Sequence, residues 1–242
     1  MTMLTVHGLG GGYGDLAVLQ DIDLEVGAGS LQVVLGRNGA GKTSLLSAVA
    51  GLLPTVRSGT ISIDGRDITG LPAHRRAAAG VGLVQEGKRV FRSRTVEENL
   101  LLGTYSSAGW SMRSPARKKA LAAAYDRFPV LEEKRSDRAG GLSGGQQQML
   151  AIAQALAAEP SVLLLDEPSA GLAPAVRTEV FRTVRQLRDE GLAVVVVEQL
   201  VDVALDVADR VAVLDSGRIV SSGPPEDYRD GELLQEIYLG SG

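Results

Sequence analysis

The amino-acid sequence predicts an α/β fold: a mainly parallel, doubly wound sheet, with an antiparallel β subdomain at the N-terminus and a helical subdomain inserted between strands. Three runs are apolar almost throughout, namely Leu31–Leu35, Val162–Leu165 and Ala193–Val197, as expected of strands that helices cover on both faces. Long stretches with helical periodicity separate these runs, which favours a parallel sheet. Glycine-rich turns lie between the early strands instead, which is typical of a small antiparallel sheet.

Shorter runs rich in β-branched residues predict the remaining strands: Ile22–Val26, Thr60–Ile63, Val81–Val84, Val211–Leu214 and Arg218–Val220. Beyond about residue 90 the strand signal disappears. Alanine, leucine and charged residues then repeat with helical spacing, as in Ala116–Arg127 and Gly145–Ala158. The sequence therefore predicts a helical insertion between two parts of one sheet.

These patterns predict one domain over residues 1–242. Its core would consist of residues 1–89 and 160–242, and its helical subdomain of about residues 90–159. A chain of this length is compatible with one hydrophobic core that carries an additional lobe.

The composition excludes several functional classes. With no cysteine and only two histidines, the chain lacks disulfides, thiolate metal sites and a histidine metal cluster, so any bound metal must be held by oxygen. No run approaches the roughly 18 apolar residues of a membrane helix. The N-terminus has no basic segment followed by an apolar run, so we expect no secretory signal and a cytoplasmic location. The net charge of −4 argues against nucleic acid as a partner.

The charge is unevenly distributed along the chain. The segment 66–119 holds eleven Lys/Arg and four Asp/Glu, a net +7 that leaves −11 for the rest. Two interpretations stay open: a solvated surface, or a basic face that contacts a partner or anionic lipid. On the second interpretation, the residues that would face the partner are Arg75, Arg76, Lys88 and Arg89.

A phosphate-binding loop follows the first apolar strand. The letters GRNGAGKT fill the pattern G-x-x-x-x-G-K-T between the strand and a helical stretch, which is the context of a P-loop NTPase core. Its glycines let backbone N–H groups point at phosphate oxygens at the positive end of a helix dipole. Lys42 would reach the β- and γ-phosphates, and the Thr43 hydroxyl would ligate Mg²⁺. The residues predicted to bind the nucleotide here are Gly36, Arg37, Asn38, Gly39, Ala40, Gly41, Lys42, Thr43 and Ser44.

Two carboxylates end the second apolar strand. Asp166 suits the outer shell of Mg²⁺, and Glu167 suits a general base that orients and deprotonates the attacking water. An acidic pair after a strand is ordinary turn chemistry by itself, but a P-loop in the same sheet favours the catalytic interpretation. We therefore predict ATP and Mg²⁺ as ligands and Lys42 and Glu167 as catalytic residues.

The segment LSGGQ at 142–146, twenty residues before Asp166, distinguishes between P-loop families. It resembles the signature motif of ABC transporters. With the P-loop, the acidic pair and Gln85 after the Val81–Val84 strand, it makes the chain similar to an ABC transporter ATP-binding subunit over essentially its whole length. Ser143 and the following N–H groups at a helix start form a second anion-binding site.

The resemblance implies partners and further site residues. One nucleotide does not need two phosphate sites from one chain, and in this family a head-to-tail dimer places each ATP between one P-loop and the other subunit's signature motif. The resemblance also implies that Tyr13 stacks on adenine and that Gln85 contacts Mg²⁺ or water. The signature residues implied in nucleotide binding are Ser143, Gly144, Gly145 and Gln146.

Further strings resemble the smaller ATP-binding subunit of branched-chain amino-acid importers and their urea or amide relatives. They are VQEGKRVF, RTVEENLLLG, SGGQQQMLAIAQAL, LLLDEPSAGLAP, VVVEQ and a terminal YLG. The resemblance implies a peripheral protein on the cytoplasmic face of the cell membrane. Its expected partners are transmembrane permease subunits, a second ATPase subunit in a homo- or heterodimer, and indirectly a solute-binding protein.

Three positions depart from the family pattern. Gln199 stands where the family has a switch histidine, and we predict a catalytic role for it. Gln154 replaces an arginine of the signature helix, and the loop Ser169–Ala173 lacks the common terminal aspartate. The alternatives to an ATP-hydrolysing importer subunit are a non-transport ABC ATPase and a nucleotide-dependent switch without turnover. The first usually carries two cassettes or a coiled-coil insertion, and this chain has neither.

Overall fold

The computed structural model describes residues 2–87, 89–105, 115–229, 231 and 233–235. Lys88 and the terminal YLG lie outside the described residues. The described residues form two sheets. The smaller consists of β1 (Thr2–Tyr13), β2 (Leu16–Gly27), β4 (Thr55–Ile63) and β5 (Arg66–Asp67). Its strand order is β2-β1-β4-β5.

The larger sheet consists of β3 (Leu31–Leu35), β6 (Val81–Val84), β7 (Val162–Asp166), β8 (Ala193–Glu198), β9 (Arg210–Asp215) and β10 (Arg218–Gly223). Its strand order is β10-β9-β3-β8-β7-β6. All neighbours in this sheet are parallel except β9 and β10. The predicted mainly parallel sheet and N-terminal antiparallel subdomain are confirmed.

Strand β1 is absent from the sequence prediction although it pairs with both β2 and β4. Its letters include Gly8, Gly10, Gly11 and Gly12, and glycine is depleted in strands because it gains nothing from side-chain packing. Here the glycines permit close backbone approach. A Cβ on Gly12 would lie 1.9 Å from the Leu16 carbonyl oxygen.

The helices that the structure describes follow in chain order. They are α1 (Lys42–Ala50), α2 (Ala73–Ala78), α3 (Val96–Gly103), α4 (Pro115–Arg127), α5 (Pro129–Glu133), α6 (Gly144–Leu156), α7 (Pro174–Asp189) and α8 (Val201–Leu205). Helices α3 to α6 form the inserted helical subdomain between β6 and β7, as predicted. Its limits at about residues 90 and 159 stay a prediction. No described helix is long and apolar enough to span a membrane.

The central strands are buried on both faces, which explains their continuous apolar sequence. In β3, Val33 and Leu35 pack into one hydrophobic cluster, while Val34 packs into the cluster on the opposite face. Leu163 and Leu164 of β7 divide in the same way. The sheet is therefore held in a fixed position between two apolar layers.

The expectation that Arg76 faces a partner is wrong. Its side chain is buried, and its guanidinium donates to the carbonyl oxygens of Leu71 at 2.8 Å and Ala48 at 2.6 Å. It donates further to Val49 at 3.0 Å and to Thr69. Arginine's five N–H donors suit carbonyls of the last turn of a helix, and the Ala48 carbonyl also accepts from the Gly51 N–H at 3.3 Å. Charge alone could not distinguish this internal role of Arg76 from a surface role.

Candidate functional site

The candidate site lies where three parallel strands end. Leu35 of β3 is paired with Glu198 of β8, and Asp166 of β7 is paired with Val197. The loops that follow these strands therefore emerge at one edge of the sheet. This edge, at the carboxyl ends of parallel strands, is where open α/β sheets bind ligands.

The P-loop passes from β3 into α1 around a buried lysine. Lys42 is 5% exposed, and its Nζ donates to the carbonyl oxygens of Gly36 at 2.8 Å and Arg37 at 3.2 Å. The same nitrogen lies 3.4 Å from Glu167 Oε1. The loop thus wraps around the ammonium group of Lys42. Helix α1 begins at Lys42 with no side-chain cap on its first N–H groups. Such a helix start favours an anion.

Each of the three glycines of the loop has a conformational reason to be glycine. A Cβ on Gly36 would lie 2.5 Å from the Leu214 carbonyl oxygen, so this position requires close backbone approach. Gly39 and Gly41 have φ angles of 83° and 107°, a region that side chains rarely adopt. The predicted conformational reasons for glycine are therefore present at all three positions.

The acidic pair is held on two sides. The Thr43 hydroxyl donates to Asp166 Oδ1 at 3.2 Å, and Glu167 has a left-handed φ of 44° with its N–H bonded to the Val197 carbonyl at 3.0 Å. Gln199 Nε2 donates to Glu167 Oε1 at 2.5 Å. A non-glycine residue in this conformation is strained and persists only where its surroundings hold it.

Burial raises the pKa of Asp166 above its ordinary value. The hydrogen bond from Thr43 and the charge of Lys42 oppose this shift, whereas the nearby carboxylates of Glu167 and Glu86 add to it. The site is therefore an electrostatically crowded pocket in which a cation would relieve repulsion between carboxylates.

A cavity of about 450 Å³ opens over these groups. Its lining residues are Val18, Asn38, Gly39, Gly41, Lys42, Thr43, Ser44, Glu86, Glu167 and Gln199. Tyr13 lies at the same end, with its hydroxyl 3.5 Å from Ser44 Oγ and its side chain 45% exposed. The structure thus brings together the P-loop, the acidic pair, Gln199 and Tyr13.

Two residues at this edge were missed from the sequence. Glu86 lines the cavity, whereas the predicted Gln85 lines a separate pocket between the helical subdomain and the core. Glu198 is buried at the end of β8. A charged residue directly after an apolar strand was the available signal for Glu198, the same signal that identified Asp166.

The signature segment lies apart from this cavity. Ser143 caps α6 by accepting from the Gln146 N–H at 3.3 Å, and Gln146 Oε1 accepts from the Ser143 N–H at 3.0 Å. Gly145 is required because a Cβ there would lie 2.4 Å from Val176 Cγ1. None of these described residues lines the P-loop cavity of the same chain.

The chain is similar to known proteins in sequence. The sequence pattern of the ABC transporter family matches residues 19–170. The high-affinity branched-chain amino acid transport ATP-binding protein BraG of Pseudomonas aeruginosa is 40% identical over 94% of this chain and 95% of its own length. The probable branched-chain amino acid transport ATP-binding protein LivF of Archaeoglobus fulgidus is 37% identical over 98% and 99%. The lipopolysaccharide export system ATP-binding protein LptB of Haemophilus influenzae is 34% identical over 99% and 98%.

Solved structures agree with the fold. An ATP-binding cassette of an ABC transporter in its ADP conformation superposes with a TM-score of 0.87 at 26% identity, over all of both chains. A second crystal structure of such a cassette reaches a TM-score of 0.89 at 25% identity, over 99% of this chain and 100% of its own.

Proposed function

This chain belongs to the ABC transporter family as an ATP-binding, ATP-hydrolysing subunit, and we propose that it energises the import of branched-chain amino acids. The observation that carries the site assignment is the cluster in which Lys42 and Gln199 both contact Glu167 Oε1, at 3.4 and 2.5 Å. A cation, a base and an amide at one point of a P-loop cavity suit hydrolysis of a nucleoside triphosphate.

The proposed chemistry divides the roles among the clustered side chains. Glu167 accepts the proton of the water whose oxygen attacks the γ-phosphorus, while the bond to the β–γ bridging oxygen breaks. Lys42 stabilises charge on the phosphoryl oxygens. Gln199 holds the carboxylate and the water in line. Because Lys42 and Gln199 both contact Oε1, Oε2 is the oxygen that we propose takes the proton.

The oxygen donors at the site fit Mg²⁺. The Thr43 hydroxyl and the Asp166 carboxylate lie within 3.2 Å of each other, and hydroxyl and carboxylate oxygens are the hard ligands this ion prefers. The described residues contain no cluster of three or more His, Cys, Asp or Glu that could hold a metal. A small number of protein ligands is enough for Mg²⁺, because this ion keeps several waters and binds substrate phosphates. Bound there, it would neutralise phosphate charge; Gln85 stays a predicted contributor.

We propose a head-to-tail dimer with the ATP between two subunits. The N-terminus of α6 at Ser143 and Gly144 is exposed and does not face the P-loop cavity of its own chain, so it is available to a nucleotide bound by a second subunit. Tyr13 is exposed enough to stack on the adenine. The second subunit can be the same chain or a related one.

Transmembrane permease subunits are the proposed membrane partners, with a solute-binding protein acting through them. We place the chain on the cytoplasmic face of the membrane as a peripheral subunit. Arg75 and Arg89 are exposed and stay candidates for a basic contact face, whereas Arg76 is buried. Replacing both Arg75 and Arg89 with Glu should weaken co-purification with the permeases while ATP binding is retained. Unchanged recovery would indicate a solvated surface.

The transported solute is argued from relatives alone, because the ATPase site holds nucleotide. BraG and LivF favour branched-chain amino acids, LptB favours lipopolysaccharide export at slightly lower identity, and urea or short amides stay alternatives. The test is to co-express the chain with the permeases encoded beside its gene and to measure ATP-dependent leucine uptake in vesicles. ATP hydrolysis without leucine uptake would reject the proposed solute. Purification of the chain without any bound permease would favour a non-transport ATPase. Absence of ATP hydrolysis in the assembled complex would favour a nucleotide-dependent switch.

A further inference from the structure

Glu198 is a buried carboxylate that the proposed hydrolytic chemistry does not use. It is the last residue of β8, follows four consecutive valines and is 2% exposed. Burying a carboxyl group among apolar strands is unfavourable unless hydrogen bonds replace the lost water. Its oxygens therefore need specific partners.

Both oxygens of Glu198 accept backbone hydrogen bonds. Oε1 accepts from the N–H of Ser169 at 3.0 Å, and Oε2 accepts from the N–H of Gln199 at 3.2 Å. The two donors belong to different segments, since Ser169 lies in the loop between β7 and α7 and Gln199 follows β8. One carboxylate thus joins the loop after the acidic pair to the residue that contacts Glu167.

The joined segments surround the proposed base. Gln199 Nε2 lies 2.5 Å from Glu167 Oε1, and the Glu167 carbonyl accepts from the Ala170 N–H at 3.1 Å. Glu167, the loop containing Ser169, Glu198 and Gln199 therefore form a closed ring of contacts. A shift of the backbone at Gln199 would move its amide away from Glu167, and hydrogen bonds weaken steeply as geometry departs from linear.

We infer that Glu198 is a positioning residue for ATP hydrolysis, which sets the Gln199 side chain against Glu167 by fixing the N–H groups of Ser169 and Gln199. The inference rests on the proposed roles of Glu167 and Gln199. Glu198 does not line the cavity, so it acts through Gln199 and not on the nucleotide. If Glu198 only satisfied the Ser169 N–H for stability, replacing Glu198 would leave ATP turnover unchanged.

Glu198→Gln is the first test variant. It is nearly isosteric but replaces one oxygen with an NH₂ group, so one of the two N–H groups loses its acceptor. In the assembled transporter we expect kcat to fall about 5- to 10-fold, the range for one lost hydrogen bond, with KM for ATP within about twofold. Glu198→Asp is the second variant, because a carboxylate one methylene shorter cannot span both donors. It should lower kcat in the same way.

A double-mutant cycle with Gln199→Ala separates positioning from stability. With no amide side chain left to position, Glu198→Gln should lower kcat by less than about twofold further. The control is Gln32→Ala, a buried polar side chain at the opposite end of β3, which should lower Tm but not kcat.

Four outcomes separate the inference from the function on which it rests. An equal loss of kcat in both backgrounds, or no loss in the Glu198 variants, would overturn the positioning role. If Lys42→Ala then still abolishes turnover, the proposed function stands without it. If Lys42→Ala leaves turnover intact, the proposed function fails as well.

Discussion

Gln199 donates its side-chain amide to Glu167 Oε1 at 2.5 Å, across the gap between the loops that follow β8 and β7. Lys42 Nζ lies 3.4 Å from the same oxygen. One oxygen of the proposed base is therefore held by two donors. The amide of Gln199 can orient a carboxylate and a water. Unlike a histidine at this position, it cannot gain a proton and a positive charge.

Gln199→Ala should lower ATP turnover by about 10-fold or more, the order expected for one lost aimed donor, with nucleotide affinity little changed. The measurement is steady-state hydrolysis by the assembled transporter. Gln199→His should introduce a step in the pH–rate profile between about pH 6 and 8 that the natural protein lacks, since histidine titrates near 6.5. Turnover of Gln199→Ala equal to that of the natural protein would show that this residue is only an amide at a strand end.

Lys42→Ala should abolish hydrolysis, because the charge-assisted contacts to the phosphoryl group are lost in a buried site. The matched control is Lys119→Ala, which removes an exposed lysine paired with Glu159 at 2.7 Å and should leave turnover unchanged. Turnover of Lys42→Ala within about threefold of the natural protein would contradict the assigned role of the P-loop lysine.

Glu167→Gln should keep ATP affinity but stop cleavage, since glutamine still hydrogen-bonds water yet cannot accept its proton. ATP-bound dimers should then accumulate, as size-exclusion chromatography with ATP and Mg²⁺ can detect. Glu159→Gln, a change at an exposed carboxylate, serves as the control and should behave like the natural protein. A purely monomeric Glu167→Gln variant would contradict the head-to-tail dimer.

Asp166→Asn should stabilise the nucleotide-free protein at pH 7 while it lowers turnover. Burial raises the pKa of Asp166, so its stabilising contribution is complete only below the unfolded-state value of about 3.9 and is lost as pH rises through the folded-state pKa. The gain in Tm should therefore shrink as pH falls toward 4. Asp67→Asn should show the opposite sign, because hydrogen bonds from Thr69 lower the pKa of Asp67. A Tm gain for Asp166→Asn that does not change with pH would reject this linkage.

Arg76→Ala should lower the free energy of unfolding by about 2–4 kcal/mol, because the carbonyl groups of Ala48 and Val49 lose the hydrogen bonds of the buried guanidinium. Arg75→Ala is the matched control, because the Arg75 side chain is exposed and lies next to Arg76 in the chain. This substitution should change the free energy of unfolding by less than about 0.5 kcal/mol. Urea unfolding monitored by circular dichroism measures both. Equal effects at the two positions would contradict the internal role of Arg76.

Much of the fold follows from local sequence patterns. Strands β3, β7 and β8 are apolar on both faces because helices cover both sides, and this leaves an unambiguous signal. The glycines, lysine and threonine of the P-loop are equally explicit, because backbone geometry and phosphate chemistry permit few other residues there. These features predict the sheet, the phosphate-binding loop and the acidic pair without any long-range information.

The contacts between distant segments were decided only by the tertiary structure. Strand β1 gains its stability from hydrogen bonds to β2 and β4, and its glycines conceal it in the sequence. The sequence cannot distinguish Arg76 from Arg75, because two of the carbonyls that Arg76 contacts belong to α1 and come near it only through folding. Glu198 likewise becomes interpretable only when folding brings Ser169 within 3.0 Å of it. Local patterns determine which segments form helices and strands and which loop has the sequence of a phosphate-binding loop, whereas burial and hydrogen-bond partners depend on which segments meet in space.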